Sequence, residues 1–152
     1  MDLKIPKSLE LEHEELHADL VWATKAGGRT GEAAKDVAKV LHDHFVKEEE
    51  FALPPISLLA ALARGEVDEQ MRGVLVMTDR LKTELPDMFR EHEAVVAALE
   101  RLAAAAEEEK LPEHARFAEK LRLHAKTEED VLYPAALLVG EYLELKYIGI
   151  NL

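Results

Sequence analysis

The residues of this chain best suited to chemistry are histidines and glutamates set at repeated intervals. His44-Phe45-Val46-Lys47-Glu48 and His124-Ala125-Lys126-Thr127-Glu128 each place a glutamate four residues after a histidine, and a second glutamate comes directly after, Glu49 and Glu129. Each segment is preceded by Glu-His-Glu, at Glu12-His13-Glu14 and Glu91-His92-Glu93, and followed by a proline, Pro54 and Pro134. His44 lies 31 residues after His13, and His124 lies 32 after His92. That agreement marks an internal repeat of a helix pair. Imidazole nitrogens and carboxylate oxygens are ligands for transition-metal ions. The chain has no cysteine, which excludes disulfides, thiolate zinc sites, iron–sulfur clusters and a cysteine nucleophile.

Helical phase says where these groups point. His44 and Glu48 share a face with Val37, Leu41 and Phe51, and His124 and Glu128 share one with Phe117, Leu121, Val131 and Ala135. His13 lies between Leu9 and Leu16, and His92 between Met88 and Val95-Val96. All six groups are expected to face the core. A carboxylate buried there is unfavourable by several kcal/mol unless it is paired or bound to metal, and no lysine or arginine shares these stripes. A metal pair resolves the conflict, because its charge offsets two glutamates and occupies four imidazole lone pairs. A lone histidine on an apolar face is usually only a hydrogen-bonded core residue. The matched repetition is what points to metal.

The elements that position these groups read as helices, since Leu, Ala, Glu and Lys dominate and only 5% of residues are aromatic. The first runs from a cap at Ser8 to Gly27-Gly28, and the second from Gly31-Glu32 until Pro54-Pro55 breaks it. A short apolar helix over 56–62 ends at Gly65. A helix over 67–84 breaks at Pro86, and Asp87 then caps a third core helix reaching Glu109. The fourth starts at Pro112 and continues to about Gly140, while residues 147–152 show no helical pattern. The expected class is all-α: an antiparallel up-down four-helix bundle with a short extra helix between the second and third, in one domain spanning residues 1–152. A net charge of −12 argues against a nucleic-acid partner. No apolar run approaches the roughly 20 residues of a membrane span, and no secretory signal precedes the first helix, so a cytoplasmic location without membrane attachment is expected. The 65–84 segment and the C-terminal tail could serve as homodimer surfaces or cover the bundle.

The ordered set of a first-helix His, a second-helix H-x-x-x-E, a third-helix E-H and a fourth-helix H-x-x-x-E-E resembles the hemerythrin family, or HHE cation-binding domain, over roughly Leu9 to Leu138. The resemblance implies a non-haem di-iron centre, oxo- or hydroxo-bridged, with bridging carboxylates and an open position for dioxygen or a related small ligand. Carried onto this chain, it puts His13 and His44 on one iron and His92 and His124 on the other, with Glu48 and Glu128 bridging. Many family members place the fourth-helix carboxylate five residues after the histidine, which would select Glu129. Regular helix geometry favours Glu128 instead, and a π-bulge could reverse the choice. Oxygen-carrying members have a second third-helix histidine where this chain has Met88, which puts reversible oxygen carriage in doubt. His17, four residues after His13, is available as a further ligand or as pocket lining. His42 is expected to face solvent, His114 lies too far along its helix to join the cluster, and Trp22 reads as core.

Three functions fit these residues. The first is a binding or sensing module in which two irons take up oxygen or report oxygen or iron status. The second is a di-iron oxidoreductase acting on peroxide, nitric oxide or ferrous iron, with Glu49 or Glu129 relaying protons. In the third the metal only staples the helices. The sequence leaves manganese and zinc open beside iron.

Overall fold

The computed structural model describes residues 2–150, which contain helices and turns and no strand. Helix α1, Lys7–Thr24, starts just beyond Pro6, whose carbonyl accepts hydrogen bonds from the Leu9 and Glu10 amides at 3.0 Å each. It stops before Gly27 and Gly28, both at positive φ, which glycine adopts without a Cβ clash. Helix α2, Gly28–Lys47, begins three residues earlier than its sequence suggests. The reason lies far along the chain. Glu109 accepts from the amides of Arg29 and Thr30 and from the Thr30 hydroxyl, which satisfies the first-turn donors.

Pro54-Pro55 ends the second helix as expected. A 3-10 turn over Pro54–Leu58 leads into the one-turn helix α3, Leu59–Ala63, and a further 3-10 turn, Glu69–Gly73, is capped by Asp68 Oδ1. Helix α4, Val74–Glu108, then runs for 35 residues without a break. The expected helix over 67–84 and the break at Pro86 are therefore corrected. Pro86 lacks the amide that would bond to the Lys82 carbonyl, but Lys82, Pro86 and Asp87 are all at least partly exposed, so water can satisfy the freed group. Leu81 and Met88, buried on either side, hold the helix on course.

Helix α5, Pro112–Thr127, continues through a π-turn into helix α6, Tyr133–Ile150. The expectation of an end near Gly140 is corrected too. Val139, Leu143 and Tyr147 form an i, i+4, i+8 stripe against Leu58, Leu62, Met71 and Val74, so Tyr147 is helical and buried, and its hydroxyl donates to the Asp68 carbonyl at 2.7 Å. Asn151 and Leu152 lie outside the described residues. Trp22, expected in the core, is 55% exposed, its ring edge-on to the buried His114 at 4.6 Å.

The four long helical stretches share two apolar clusters. Leu16, Val37, Leu99 and Leu121 belong to one, and Phe51, Leu81, Met88 and Tyr133 to the other. Between them lies a polar layer. No described helix is long and apolar enough to cross a membrane.

Gly140 is a packing glycine rather than a stop. A Cβ there would sit 2.5 Å from Thr78 Oγ1 and 2.8 Å from Thr78 Cβ, where α4 and α6 meet. Helix propensity alone would make Gly140→Ala stabilising by about 1 kcal/mol. Overpacking should reverse the sign and destabilise the fold by about 1–3 kcal/mol. Urea denaturation of the variant checks this.

Candidate metal centre

The polar layer is built by the repeat. His44 and Glu48 keep ordinary α-helical spacing, as do His124 and Glu128, so each pair presents histidine and glutamate one turn apart on the buried face. Directly after each pair the helix widens. π-turns occupy Glu48–Ala52 and Glu128–Leu132, with the Leu53 amide donating to the Glu48 carbonyl and the Tyr133 amide to that of Glu128. Each turn inserts one residue and rotates the helix beyond it, so Leu53 and Tyr133, five residues after their glutamates, return to the core. Because the π-turn begins at Glu128 rather than before it, Glu128 points inward and Glu129 falls to the side.

The structure buries His13, His44, Glu48, His92, His124 and Glu128, none more than 5% exposed. Their atoms converge into two groups, each able to hold a metal ion: His13, Glu48, His124 and Glu128 in one, and His44, Glu48, His92 and Glu128 in the other. The histidines thus pair as His13 with His124 and His44 with His92, which corrects the expected pairing. The rings are placed accordingly, His13 edge-on to His124 with centroids 5.2 Å apart and His44 tilted against His92 at 4.4 Å. Both glutamates belong to both groups. Glu48 Oε1 is 2.5 Å from His44 Nε2 while its Oε2 is 3.2 Å from His13 Nε2. Glu128 Oε1 is 3.3 Å from His92 Nε2 while its Oε2 is 3.4 Å from His124 Nε2.

The donor set fits a cation. His13 Nε2, Glu48 Oε2, His124 Nε2 and Glu128 Oε2 are buried and, although close together, are not aligned for any hydrogen bond. A buried polar atom left so is unfavourable by about 1–3 kcal/mol. The same four residues make up one of the two groups.

A carboxylate faces the outer nitrogen of each of these four histidines. His124 Nδ1 is 2.5 Å from Glu12 and His92 Nδ1 is 3.1 Å from Glu129. His44 Nδ1 is 3.3 Å from Glu91, which Lys47 also holds, and His13 Nδ1 is 3.7 Å from Glu49. The partners of His124, His92 and His44 are within hydrogen-bond reach and fix those rings with Nε2 inward, whereas His13 Nδ1 has only the charge of Glu49 nearby and no hydrogen bond. The sequence pattern gave Glu12 and Glu91 no role and offered Glu49 and Glu129 only as relay or ligand. The Glu-His adjacency, repeated in both halves, was the signal for the first two. His17 is exposed and stands outside both groups, as does the exposed His42. Tyr133 was also missed. It is fully buried, and its hydroxyl donates to Glu48 Oε1 at 3.1 Å while lying 3.2 Å from both His44 Nε2 and His92 Nε2.

The electrostatics come from this crowding. Burial opposes protonation of His13, but the Glu128 and Glu48 carboxylates outweigh it and raise the imidazole to about 10, and the same balance raises His92 to about 10. His44 and His124 are raised against burial as well, chiefly by Glu48 and Glu128 respectively. Burial alone would push Glu48 up, yet its contacts with Glu128 and the histidines hold it well below the carboxylate range. Burial, then the charges of Glu48 and Glu128, push the Tyr133 phenol far above its ordinary value.

These shifts set a pH profile for the metal-free chain. Raised imidazoles contribute stability that is complete below their unfolded value of 6.5 and is lost as pH climbs towards about 10. The depressed Glu48 carboxyl contributes above its usual 4.5 and loses that contribution as pH falls. Metal-free protein should therefore melt higher near about pH 6 than near about pH 9.5, and metal loading should flatten the difference. Equal melting temperatures in the metal-free form would contradict the cluster's charge balance.

No protein-family model matches the chain, and neither a curated protein nor a solved structure matches it.

Proposed function

We propose that this chain is a hemerythrin-type non-haem di-iron protein that binds or senses dioxygen or a related small ligand, or iron itself. One observation carries the reading: Glu48 and Glu128 each direct one oxygen to the His13–His124 pair and the other to the His44–His92 pair. That is the arrangement two bridging carboxylates need to hold two ions side by side. His13 and His124 would hold one ion and His44 and His92 the other, with Glu12, Glu91 and Glu129 orienting the rings of His124, His44 and His92. When bound, a pair of irons supplies electrons that an oxygen-class ligand can accept. The chain's own residues exclude bulk water from the layer, hold the imidazoles in one tautomer and supply proton acceptors at its rim.

An antiparallel up-down bundle belongs to the same reading. From N- to C-terminus α1 passes from the Leu9 end of the polar layer to Leu16, and α2 with the π-turn after it runs back from Leu41 to Phe51. Helix α4 repeats the first direction, Met88 to Val95, and α5–α6 repeats the second, Leu121 to Tyr133. Short connections at residues 25–27 and 109–111 support this alternation. A groove of about 870 Å³, lined by His92, Val96, Ala97, Leu123 and Glu129 among others, offers a small ligand a path to the layer's edge.

Purified or anaerobically reconstituted protein should carry two irons per chain, with a visible spectrum that changes on admitting oxygen. Glu48→Ala and His124→Ala should lose metal and melt lower, whereas His17→Ala and His42→Ala should do neither. Equal metal content in all four would refute the ligand set, and zinc without a spectral response would leave only a structural staple. Glu12→Gln should keep the fold but weaken metal affinity by about 10–100-fold. A chelator titration of the loaded variant measures that loss.

A further inference from the structure

Tyr133 breaks the repeat. The two halves agree through histidine, glutamate, second glutamate and π-turn, but the residue five after the glutamate is Leu53 in the first half and Tyr133 in the second. Both are fully buried. Leu53 shows that the fold accepts an apolar side chain at this position, so packing alone does not call for a phenol.

The position of the hydroxyl is specific. It lies 3.1 Å from Glu48 Oε1, 3.2 Å from His44 Nε2 and 3.2 Å from His92 Nε2, and those three residues converge in a single candidate ion site. Two adjacent donors on one octahedral ion, each at about 2.1 Å, stand about 3 Å apart. All three distances meet that spacing together. A phenol held only by a hydrogen bond to Glu48 needs one acceptor and has no reason to stand equally close to both imidazoles.

We propose that Tyr133 is itself a donor to the ion held by His44, Glu48, His92 and Glu128, and that the two ion sites are therefore chemically unlike. The inference rests on the two-ion reading above. On loading, the cation takes the place of the phenol proton, which leaves to solvent along with those displaced from the imidazoles. The first site then has two imidazoles, two carboxylate oxygens and a phenolate. The second has His13, His124 and the other oxygens of Glu48 and Glu128, and among the described residues no further group bonds to those four atoms. An incoming small ligand is directed to the second site because it is the one left with fewer protein donors.

The test loads wild type and Tyr133→Phe with ferrous ion under anaerobic conditions, oxidises both to iron(III), removes the oxidant and records iron content and visible spectrum. The wild type should show a phenolate-to-iron(III) charge-transfer band. Tyr133→Phe should lose it while keeping iron. Resonance Raman of the wild type, with and without ring-deuterated tyrosine, gives the same answer without a variant should Tyr133→Phe misfold: phenolate modes that shift on labelling support the assignment. Two irons per chain with no phenolate band, or with identical bands in both proteins, overturns the Tyr133 inference and leaves the di-iron reading standing. A wild type that takes up no iron overturns both.

Discussion

The fold is organised around placing two carboxyl groups side by side where water cannot reach them. Glu48 and Glu128 sit at 0% and 1% exposure between four helices, and like charges at that depth would ordinarily force a proton onto one of them. Positive charge beside them relieves that demand. Four imidazoles close around the pair supply it when protonated, and a bound cation would supply it when they are not. The apolar clusters on either side of the layer strengthen this demand, because removing water raises every electrostatic interaction inside. Phe45, stacked on His13 at 4.6 Å, closes one flank of the layer with an apolar ring.

The repeat spreads the burden evenly. In each half the glutamate beside the inner one turns back to the first histidine of its own half: Glu49 to His13 and Glu129 to His92. The glutamate before each first histidine crosses to the other half: Glu12 to His124 and Glu91 to His44. Two contacts within halves and two between them tie four helices into one network. Neither half could complete the layer alone. This also explains why both π-turns are present. Without the extra residue, the side chain five after each glutamate would point some 140° away from it, and the core just past the layer would lose Leu53 and Tyr133.

Much of this burial was legible in the spacing of His13, His44, Glu48, His92, His124 and Glu128, because the same i, i+4 pair recurs on an apolar stripe in both halves at matched distance from a Glu-His-Glu. The features that escaped share a physical origin. A 3.6-residue period cannot register a π-turn, so Val131, expected on the core stripe, is 56% exposed and Tyr133 takes the buried place instead. Pro86 reads as a helix end because sequence does not reveal that Lys82 and Pro86 both lie on the exposed side of the helix. Gly140 reads as a stop because its close approach to Thr78 joins residues far apart in the chain. The histidine pairing depends on how the rings of four different helices meet in space, and no single-helix pattern contains that. His17 shares a turn with His13, but Leu16 takes the core direction there and leaves His17 exposed.

Met88 and Tyr133 are best understood together. Met88 stands one turn before His92, fully buried, in the same cluster as Tyr133. Oxygen-carrying members of the family that the sequence resembles have a histidine at this position. A thioether is a poor donor to a hard ion, so that side of the layer lacks a histidine. The phenol of Tyr133 approaches the same His44–Glu48–His92 face from α6. Loss of a nitrogen donor on one helix and gain of an oxygen donor on another would keep the donor count while changing its character. An anionic oxygen favours the higher oxidation state of an ion more than a neutral imidazole does. On the proposed reading, that exchange shifts the centre away from reversible carriage and towards a ligand response accompanied by lasting oxidation.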